Sequence, residues 1–139
     1  MTKLILMILS LMVTSVQAKE ANSPSVTPNI TAINKQTGNL SPKESATLFN
    51  DKKAVIIDVR EDDEWQEKHI PGALHIPLAQ LNNRLGELEQ YKHTPIITQC
   101  QKGGRSKQAQ AVLKAAGFND VYNLEGGLVA WDKAGLKTQ

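Results

Sequence analysis

The chain has 139 residues, 40% of them hydrophobic, and its 16 Lys and Arg against 14 Asp and Glu give a formal net charge of +2. This near-neutral balance disfavours a nucleic-acid-binding protein, because that class usually presents a strongly basic face. The length allows one domain. With one cysteine the chain cannot form an internal disulfide, so we expect the thiol to be either buried or used in chemistry.

Residues 1–18 have the form of a secretory signal peptide. Lys3 precedes an apolar run over Leu4–Val13, and Val16 and Ala18 are the small residues expected before a signal-peptidase cut. The apolar run is short for a membrane span, although an uncleaved membrane anchor is the alternative interpretation. We therefore expect cleavage after Ala18, a periplasmic location and no membrane attachment afterwards.

The next segment, residues 19–33, is rich in Ser, Thr, Pro and Asn and is expected to be a flexible leader before a domain over residues 34–139. Ser41, Pro42 and Glu44 then carry a helix-start signature: an N-cap, a first-turn proline and a capping box.

Strands and helices alternate through the rest of the chain. The strand candidates are Ala54–Ile57, Ala73–Ile76, Pro95–Gln99 and Val121–Leu124. The helix candidates are Glu61–Glu67, the leucine series Leu78, Leu81, Leu85 and Leu88, the stripe Ala109, Val112, Leu113 and Ala116 capped by Gly117, and a final helix ending near Gly135. The alternation predicts an α/β fold with a parallel sheet covered by helices on both faces.

Cys100 stands just beyond the end of a predicted strand, in the stretch TQCQKGGRSKQ. In an open parallel sheet, this edge is the usual place for binding. Gly103 and Gly104 allow positive φ angles and inward-pointing N–H groups. Arg105 and the start of the following helix favour a thiolate of lowered pKa. These features predict a nucleophilic cysteine that exchanges a group with a small anion; an ordinary buried cysteine is the alternative.

Other chemistry is weakly indicated. His69, His75 and His93 do not have metal-ligand spacing, so we expect no metal. His69 and His75 flank a turn and are expected to make structural hydrogen bonds, whereas His93 is expected to be exposed. Asp58 and Arg60, at a strand end, are candidates for catalysis or for an ion pair.

Four stretches, taken in order, resemble the single-domain rhodaneses, which are thiosulfate sulfurtransferase-like modules. They are DVRE followed by EW (58–65), HIPGALHIPL (69–78), ITQCQKGGRS (97–106) and LEGGLVAW (124–131). The resemblance covers about Asn34–Gly135. It implies a five-stranded parallel sheet flanked by helices, and an enzyme without a cofactor. It also implies that the Cys100 thiolate takes the outer sulfur of thiosulfate as a persulfide, releases sulfite, and passes the sulfur to cyanide in an assay or to a thiol in the cell.

The resemblance assigns further residues by motif position. The loop around the persulfide would consist of Gln101, Lys102, Gly103, Gly104 and Arg105, and Ser106 would open the following helix. Asp58 and Arg60 would support that loop from behind. The family usually has glycine where Lys68 stands, so Lys68 is expected to be strained if the position needs a positive φ angle.

Two other functions remain open on the sequence. A phosphatase or arsenate reductase would use a similar cysteine loop, but with one residue more between cysteine and arginine and with histidine before the cysteine; here Gln99 precedes Cys100. A persulfide carrier without turnover would share the whole loop. The expected partners are a small anionic sulfur donor and a thiol or protein acceptor, with a monomer as the expected state.

Overall fold

The structure, a computed structural model, describes residues 30–139. The expected signal peptide and residues 19–29 of the expected leader lie outside that range. Regular structure begins with a helix at Ala32, slightly before the expected domain start at Asn34. Within residues 30–139, no helix has the length and apolar character needed to cross a membrane.

The described chain forms one five-stranded sheet with helices on both sides. In chain order the elements are α1 (Ala32–Thr37), β1 (Asn39–Leu40), α2 (Pro42–Asn50), β2 (Val55–Asp58), α3 (Asp62–Glu67), β3 (Leu74–His75), α4 (Leu78–Leu81), a 3₁₀-helix (Asn82–Tyr91), β4 (Ile96–Gln99), α5 (Gly104–Ala115), β5 (Val121–Leu124) and α6 (Gly127–Lys133). The strands lie in the order β1-β5-β4-β2-β3, and every pairing is parallel. The predicted α/β fold is confirmed.

Neighbouring strand residues supply two separate cores. Ile56 of β2 packs in a cluster with residues of α2 and α6, whereas Ile57 packs in a second cluster with residues of α4 and α5. This alternation follows from the pleat, which points successive side chains to opposite faces of the sheet. Both faces are buried, as expected of a parallel sheet.

Helix ends follow their local signals. The Ser41 hydroxyl accepts the Glu44 N–H at 3.2 Å, and the Glu44 carboxylate accepts the Ser41 N–H at 2.9 Å, which completes the predicted capping box. At the end of α5, Gly117 follows the cap with φ at +92°, and the next residue, Phe118, donates its N–H to the Leu113 carbonyl at 3.1 Å. This is the Schellman type of helix ending, which favours glycine.

Two regions differ from the sequence pattern. The leucine series forms only one α-helical turn before it tightens into the 3₁₀-helix, since Asn82, Asn83 and Gly86 are poor helix formers. Leu81 and Leu88 still reach the core. Strand β1 was not predicted, because two residues, Asn39–Leu40, are too short to give a recognisable alternation.

Candidate active site

Cys100 lies at the carboxyl end of β4, and the loop after it turns directly into α5. The helix begins at Gly104, two residues before Ser106, which the resemblance placed at its start. Gly103 has a φ angle of +106°, so a residue with a side chain would be strained there. The expectation of a positive φ angle at Gly104 is wrong, since Gly104 is already the first residue of the helix.

The Cys100 sulfur is enclosed by hydrogen-bond donors. Its Sγ accepts the Gly103 N–H at 3.1 Å and lies 3.2 Å from the Ser106 hydroxyl oxygen. Burial raises the pKa of the thiol, but hydrogen bonds from the Ser106 hydroxyl and from backbone N–H groups of the loop outweigh burial, so the pKa is lowered overall. Cys100 is 2% exposed. The cysteine is therefore both buried and activated, although the sequence alone left these as alternatives.

Asn123, on the neighbouring strand β5, is part of the site and was not predicted. The Ser106 hydroxyl donates to its Oδ1 at 2.6 Å, while the same hydroxyl faces the Cys100 sulfur at 3.2 Å. The hydroxyl has one proton, so the amide oxygen of Asn123 competes with the sulfur for it. The parallel order of β4 and β5 makes this contact possible, but nothing in the local sequence around Asn123 indicates it.

The N-terminus of α6 holds the cysteine loop from outside. Leu128 donates its N–H to the carbonyl of Cys100 at 2.8 Å, and Val129 donates to the carbonyl of Gln101 at 3.1 Å. At Gly127, which has φ at +60°, a Cβ atom would lie 2.5 Å from both carbonyl oxygens. Gly127, the second glycine of LEGGLVAW, therefore permits the close approach of α6 to the loop.

Asp58 and Arg60 form a buried ion pair behind the loop. Arg60 Nη2 lies 2.7 Å from Asp58 Oδ2, and the two residues are 2% and 0% exposed, respectively. The same guanidinium donates to the Lys68 carbonyl at 2.7 Å and to the Gln101 side chain at 3.3 Å. The pair thus connects β2, the end of α3 and the cysteine loop without touching the sulfur.

Arg105 is paired with Glu64 of α3. Its two terminal nitrogens, Nη1 and Nη2, lie 2.6 and 2.8 Å from the Glu64 carboxylate oxygens. These hydrogen bonds lower the pKa of Glu64 to about 2, with burial acting in the opposite direction. A cavity of about 390 Å³ opens beside them, lined by Glu64, Cys100, Gln101, Lys102, Gly104 and Arg105. Sequence reasoning placed Arg105 at the cavity but missed the pairing with Glu64.

The remaining candidates have structural or peripheral positions. Lys68 is extended, with φ at −163°, so the expectation of strain there is wrong. Both predicted histidines bond backbone carbonyls: His69 Nδ1 lies 2.7 Å from the Trp65 oxygen, and His75 Nε2 lies 2.8 Å from the Arg60 oxygen. Lys102 and His93 are exposed. Among residues 30–139, no group of three or more His, Cys, Asp or Glu side chains is placed to hold a metal ion.

Comparisons with known proteins identify the family of the chain. Residues 41–134 match the family described as "Rhodanese-like domain". The chain is 32% identical over 90 residues to thiosulfate sulfurtransferase GlpE of Pseudomonas savastanoi, an alignment that covers 65% of this chain and 83% of GlpE. It is 38% identical over 95 residues to the "Probable adenylyltransferase/sulfurtransferase MoeZ" of Mycobacterium tuberculosis, with 68% of this chain covered but only 24% of MoeZ.

Two further similarities bear on carriers and on the fold. The "Putative sulfur carrier protein YrkF" of Bacillus subtilis is 39% identical over 82 residues, which cover 59% of this chain and 43% of YrkF. The crystal structure of a rhodanese-related protein from Thermoplasma volcanium superposes with a TM-score of 0.63 at 26% identity, covering 73% of this chain and 96% of that protein.

Proposed function

The chain belongs to the rhodanese-like family, and from that premise we propose that it is a sulfurtransferase. It moves sulfane sulfur from thiosulfate or a similar donor to a thiophilic acceptor through a persulfide on Cys100. The observation that carries this proposal is the geometry at Sγ, where the Gly103 N–H and the Ser106 hydroxyl lie 3.1 and 3.2 Å away. Such donors stabilise the thiolate, which is the nucleophilic form of cysteine.

The proposed cycle needs no external oxidant. The Cys100 thiolate attacks the outer sulfur of thiosulfate, the donor's S–S bond breaks, and its electron pair leaves with sulfite. Cyanide or an acceptor thiolate then attacks the outer sulfur of the persulfide, and the electron pair of that S–S bond returns to Sγ. The donors around Sγ stabilise the thiolate that leaves in this second step.

The loop disfavours oxyanion chemistry of the phosphatase or arsenate reductase type. Only Gln101, Lys102, Gly103 and Gly104 separate Cys100 from Arg105, one residue fewer than in those enzymes. Moreover, the fork of Arg105 already binds the Glu64 carboxylate, so it is not turned toward a tetrahedral group in the cavity.

A persulfide carrier is the second candidate function, favoured by the similarity to YrkF. Carrier and enzyme differ in turnover, which steady-state measurement with thiosulfate and cyanide distinguishes. An enzyme forms many equivalents of thiocyanate per Cys100, whereas an isolated carrier loads one sulfur and passes it to cyanide only slowly.

The test of the proposed function is a mass spectrum of the protein after thiosulfate treatment. We expect one added sulfur atom on the Cys100 peptide, and its removal by cyanide. Cys100→Ser is the control and should gain no sulfur and show no thiocyanate formation. Absence of the added sulfur in protein whose thiol is reduced and reactive toward iodoacetamide would contradict the proposal.

We further propose that the protein acts in the periplasm after removal of residues 1–18. The short apolar run and the small residues before Lys19 support this. Expression of the full chain in a bacterium, followed by fractionation and mass measurement, tests it. The expected product is periplasmic protein beginning at Lys19; uncleaved protein retained in the membrane fraction would contradict it.

A further inference from the structure

The carboxylate of Glu64 occupies the anion-binding fork of Arg105 at the mouth of the Cys100 cavity. The two contacts, at 2.6 and 2.8 Å, run in parallel from the terminal guanidinium nitrogens to the two carboxylate oxygens. This is the arrangement in which arginine binds sulfonate, phosphate or carboxylate groups most strongly. The cationic group best suited to hold an anionic sulfur donor is therefore already neutralised by the chain itself.

Glu64 is fixed in this position by contacts that do not involve Arg105. Its Oε2 also accepts the Glu61 N–H at 3.1 Å, within the capping box of α3. Its backbone carbonyl accepts a hydrogen bond from Arg60 Nη1 at 3.3 Å, and Arg60 is itself held by the buried Asp58. A donor that takes Arg105 from Glu64 must therefore displace a carboxylate that α3 holds in place.

The charges around the cavity disfavour a doubly charged donor. Among the six lining residues, Glu64 and Arg105 cancel, and Lys102 is the remaining cationic side chain, on the exposed rim. The nucleophile is a thiolate, which adds a negative charge at the reacting centre. Because the Glu64–Arg105 pair has no net charge, it offers a dianion no net attraction, while the thiolate repels the donor more strongly with every added unit of negative charge.

We propose that Glu64 is a specificity-determining residue that makes the Cys100 site favour sulfur donors carrying at most one negative charge at the reacting group. Organic persulfides and thiosulfonates are the chemical classes that fit, and thiosulfate, a dianion, is the disfavoured donor. The inference rests on the proposed persulfide chemistry and adds the identity of the donor class.

Both favoured classes give balanced reactions with Cys100. With an organic persulfide, the thiolate attacks the outer sulfur, the donor S–S bond breaks, and the organic thiolate leaves with the electron pair. The outer sulfur and its proton remain on Cys100. With a thiosulfonate, the same attack releases a sulfinate monoanion and leaves an ionised persulfide on Cys100. Neither step needs a reductant or an oxidant.

The test compares two donors that share the same type of S–S bond and differ in charge. Thiosulfate is the dianion, and methanethiosulfonate, in which a methyl group replaces one oxygen, is the monoanion. The kcat/KM of each is measured by thiocyanate formation with cyanide as the common acceptor. Donor preference is the kcat/KM for thiosulfate divided by the kcat/KM for methanethiosulfonate. Intrinsic differences in reactivity between the donors cancel when this ratio is compared between variants.

Glu64→Gln should raise this ratio about tenfold, because one unit of negative charge at the cavity is removed. The increase should shrink at high salt, since salt screens charges at a partly exposed site. Glu67→Gln is the matched control: it removes the same charge from an exposed position on α3 that does not line the Cys100 cavity, and it should leave the ratio within about twofold. Arg105→Ala leaves the charge of Glu64 without its partner, so it should lower the ratio.

An unchanged or lowered ratio in Glu64→Gln overturns the inference. If Glu64 only holds Arg105 in place, both donors lose activity together and the ratio stays constant. The proposed function fails in a different way: wild-type protein would then gain no sulfur on Cys100 from either donor in the mass spectrum, and the inference would fail with it.

Discussion

Removal of the Ser106 hydroxyl should raise the pKa of Cys100. In Ser106→Ala the sulfur loses the hydroxyl 3.2 Å away but keeps the Gly103 N–H at 3.1 Å. Burial raises the pKa of the thiol and hydrogen bonds lower it, so the variant keeps the first effect and loses part of the second. A hydrogen bond to a charged group contributes about 1.5–3 kcal/mol, so loss of the hydroxyl should disfavour the thiolate by about that amount.

The assay is the rate of Cys100 alkylation by iodoacetamide as a function of pH. Only the thiolate reacts, so the rate rises through the pKa of Cys100. The midpoint should move to higher pH in Ser106→Ala. At pH values below both midpoints, alkylation should be slower by about tenfold to a hundredfold. Ser45→Ala is the matched control: Ser45 is fully buried on α2, its hydroxyl has no hydrogen-bond partner within the described residues, and its loss should not move the midpoint.

A second variant, Asn123→Ala, should shift the alkylation midpoint in the opposite direction and therefore tests the same reasoning. Asn123 Oδ1 takes the Ser106 hydroxyl proton at 2.6 Å. Asn123→Ala removes this competing acceptor and leaves the proton free to turn to the sulfur, so the midpoint should fall. If both variants move the midpoint in the same direction, or if neither moves it, the Ser106 hydroxyl does not control the thiol in the way that the geometry indicates.

Two further predictions concern stability. Gly127→Ala places a Cβ atom 2.5 Å from two carbonyl oxygens at a φ angle of +60°, so denaturant unfolding should show that the free energy of unfolding falls by about 2–4 kcal/mol. Gly86→Ala is the control: a Cβ atom there meets nothing within 4 Å, so the free energy of unfolding should fall by less than about 0.5 kcal/mol. Equal losses in the two variants would contradict the role given to Gly127. The pKa of Glu64 falls from 4.5 to about 2 on folding, so its charge stabilises the fold above pH 4.5 and this contribution is lost as the pH falls toward 2. Glu64→Gln should therefore lower the free energy of unfolding at neutral pH by about 1–2 kcal/mol, after allowance for solvent screening. In this variant the free energy of unfolding should also fall less steeply as the pH is lowered from 4.5 toward 2. An unchanged pH dependence in that range would contradict the lowered pKa of Glu64.

The segment from β4 through Cys100 to α5 could be predicted from the sequence because its signals are local. A short β-branched run, two glycines and an apolar stripe at helical spacing each fix the backbone over a few residues. Gly117 marks the end of α5 for the same reason. Even here the detail was incomplete, since of the two loop glycines, Gly103 and Gly104, only Gly103 adopts a positive φ angle.

The partners of the site could not be predicted, because they come from distant parts of the chain. Glu64 meets Arg105, 41 positions later, and Ser106 meets Asn123, 17 positions later. Strand order and helix packing decide these contacts. The functional consequences follow from them: neutralisation of Arg105 and competition for the Ser106 proton are properties of pairs, and neither member indicates its partner in the sequence.

The burial of Cys100 is compatible with a transferable sulfur. Only 2% of the residue is exposed, which restricts the access of bulky oxidants and thiols to Sγ itself. On the proposed cycle, loading adds one sulfur atom about 2 Å beyond Sγ, toward the cavity that Cys100 lines. The outer sulfur is the atom that an acceptor attacks, so transfer needs access to that atom alone. Because the N-terminus of α6 and the Asp58–Arg60 pair both hydrogen-bond to the loop, the inner sulfur stays enclosed while the outer sulfur is transferred. A bulky alkylating reagent should therefore react with Cys100 more slowly than a small one of equal intrinsic reactivity.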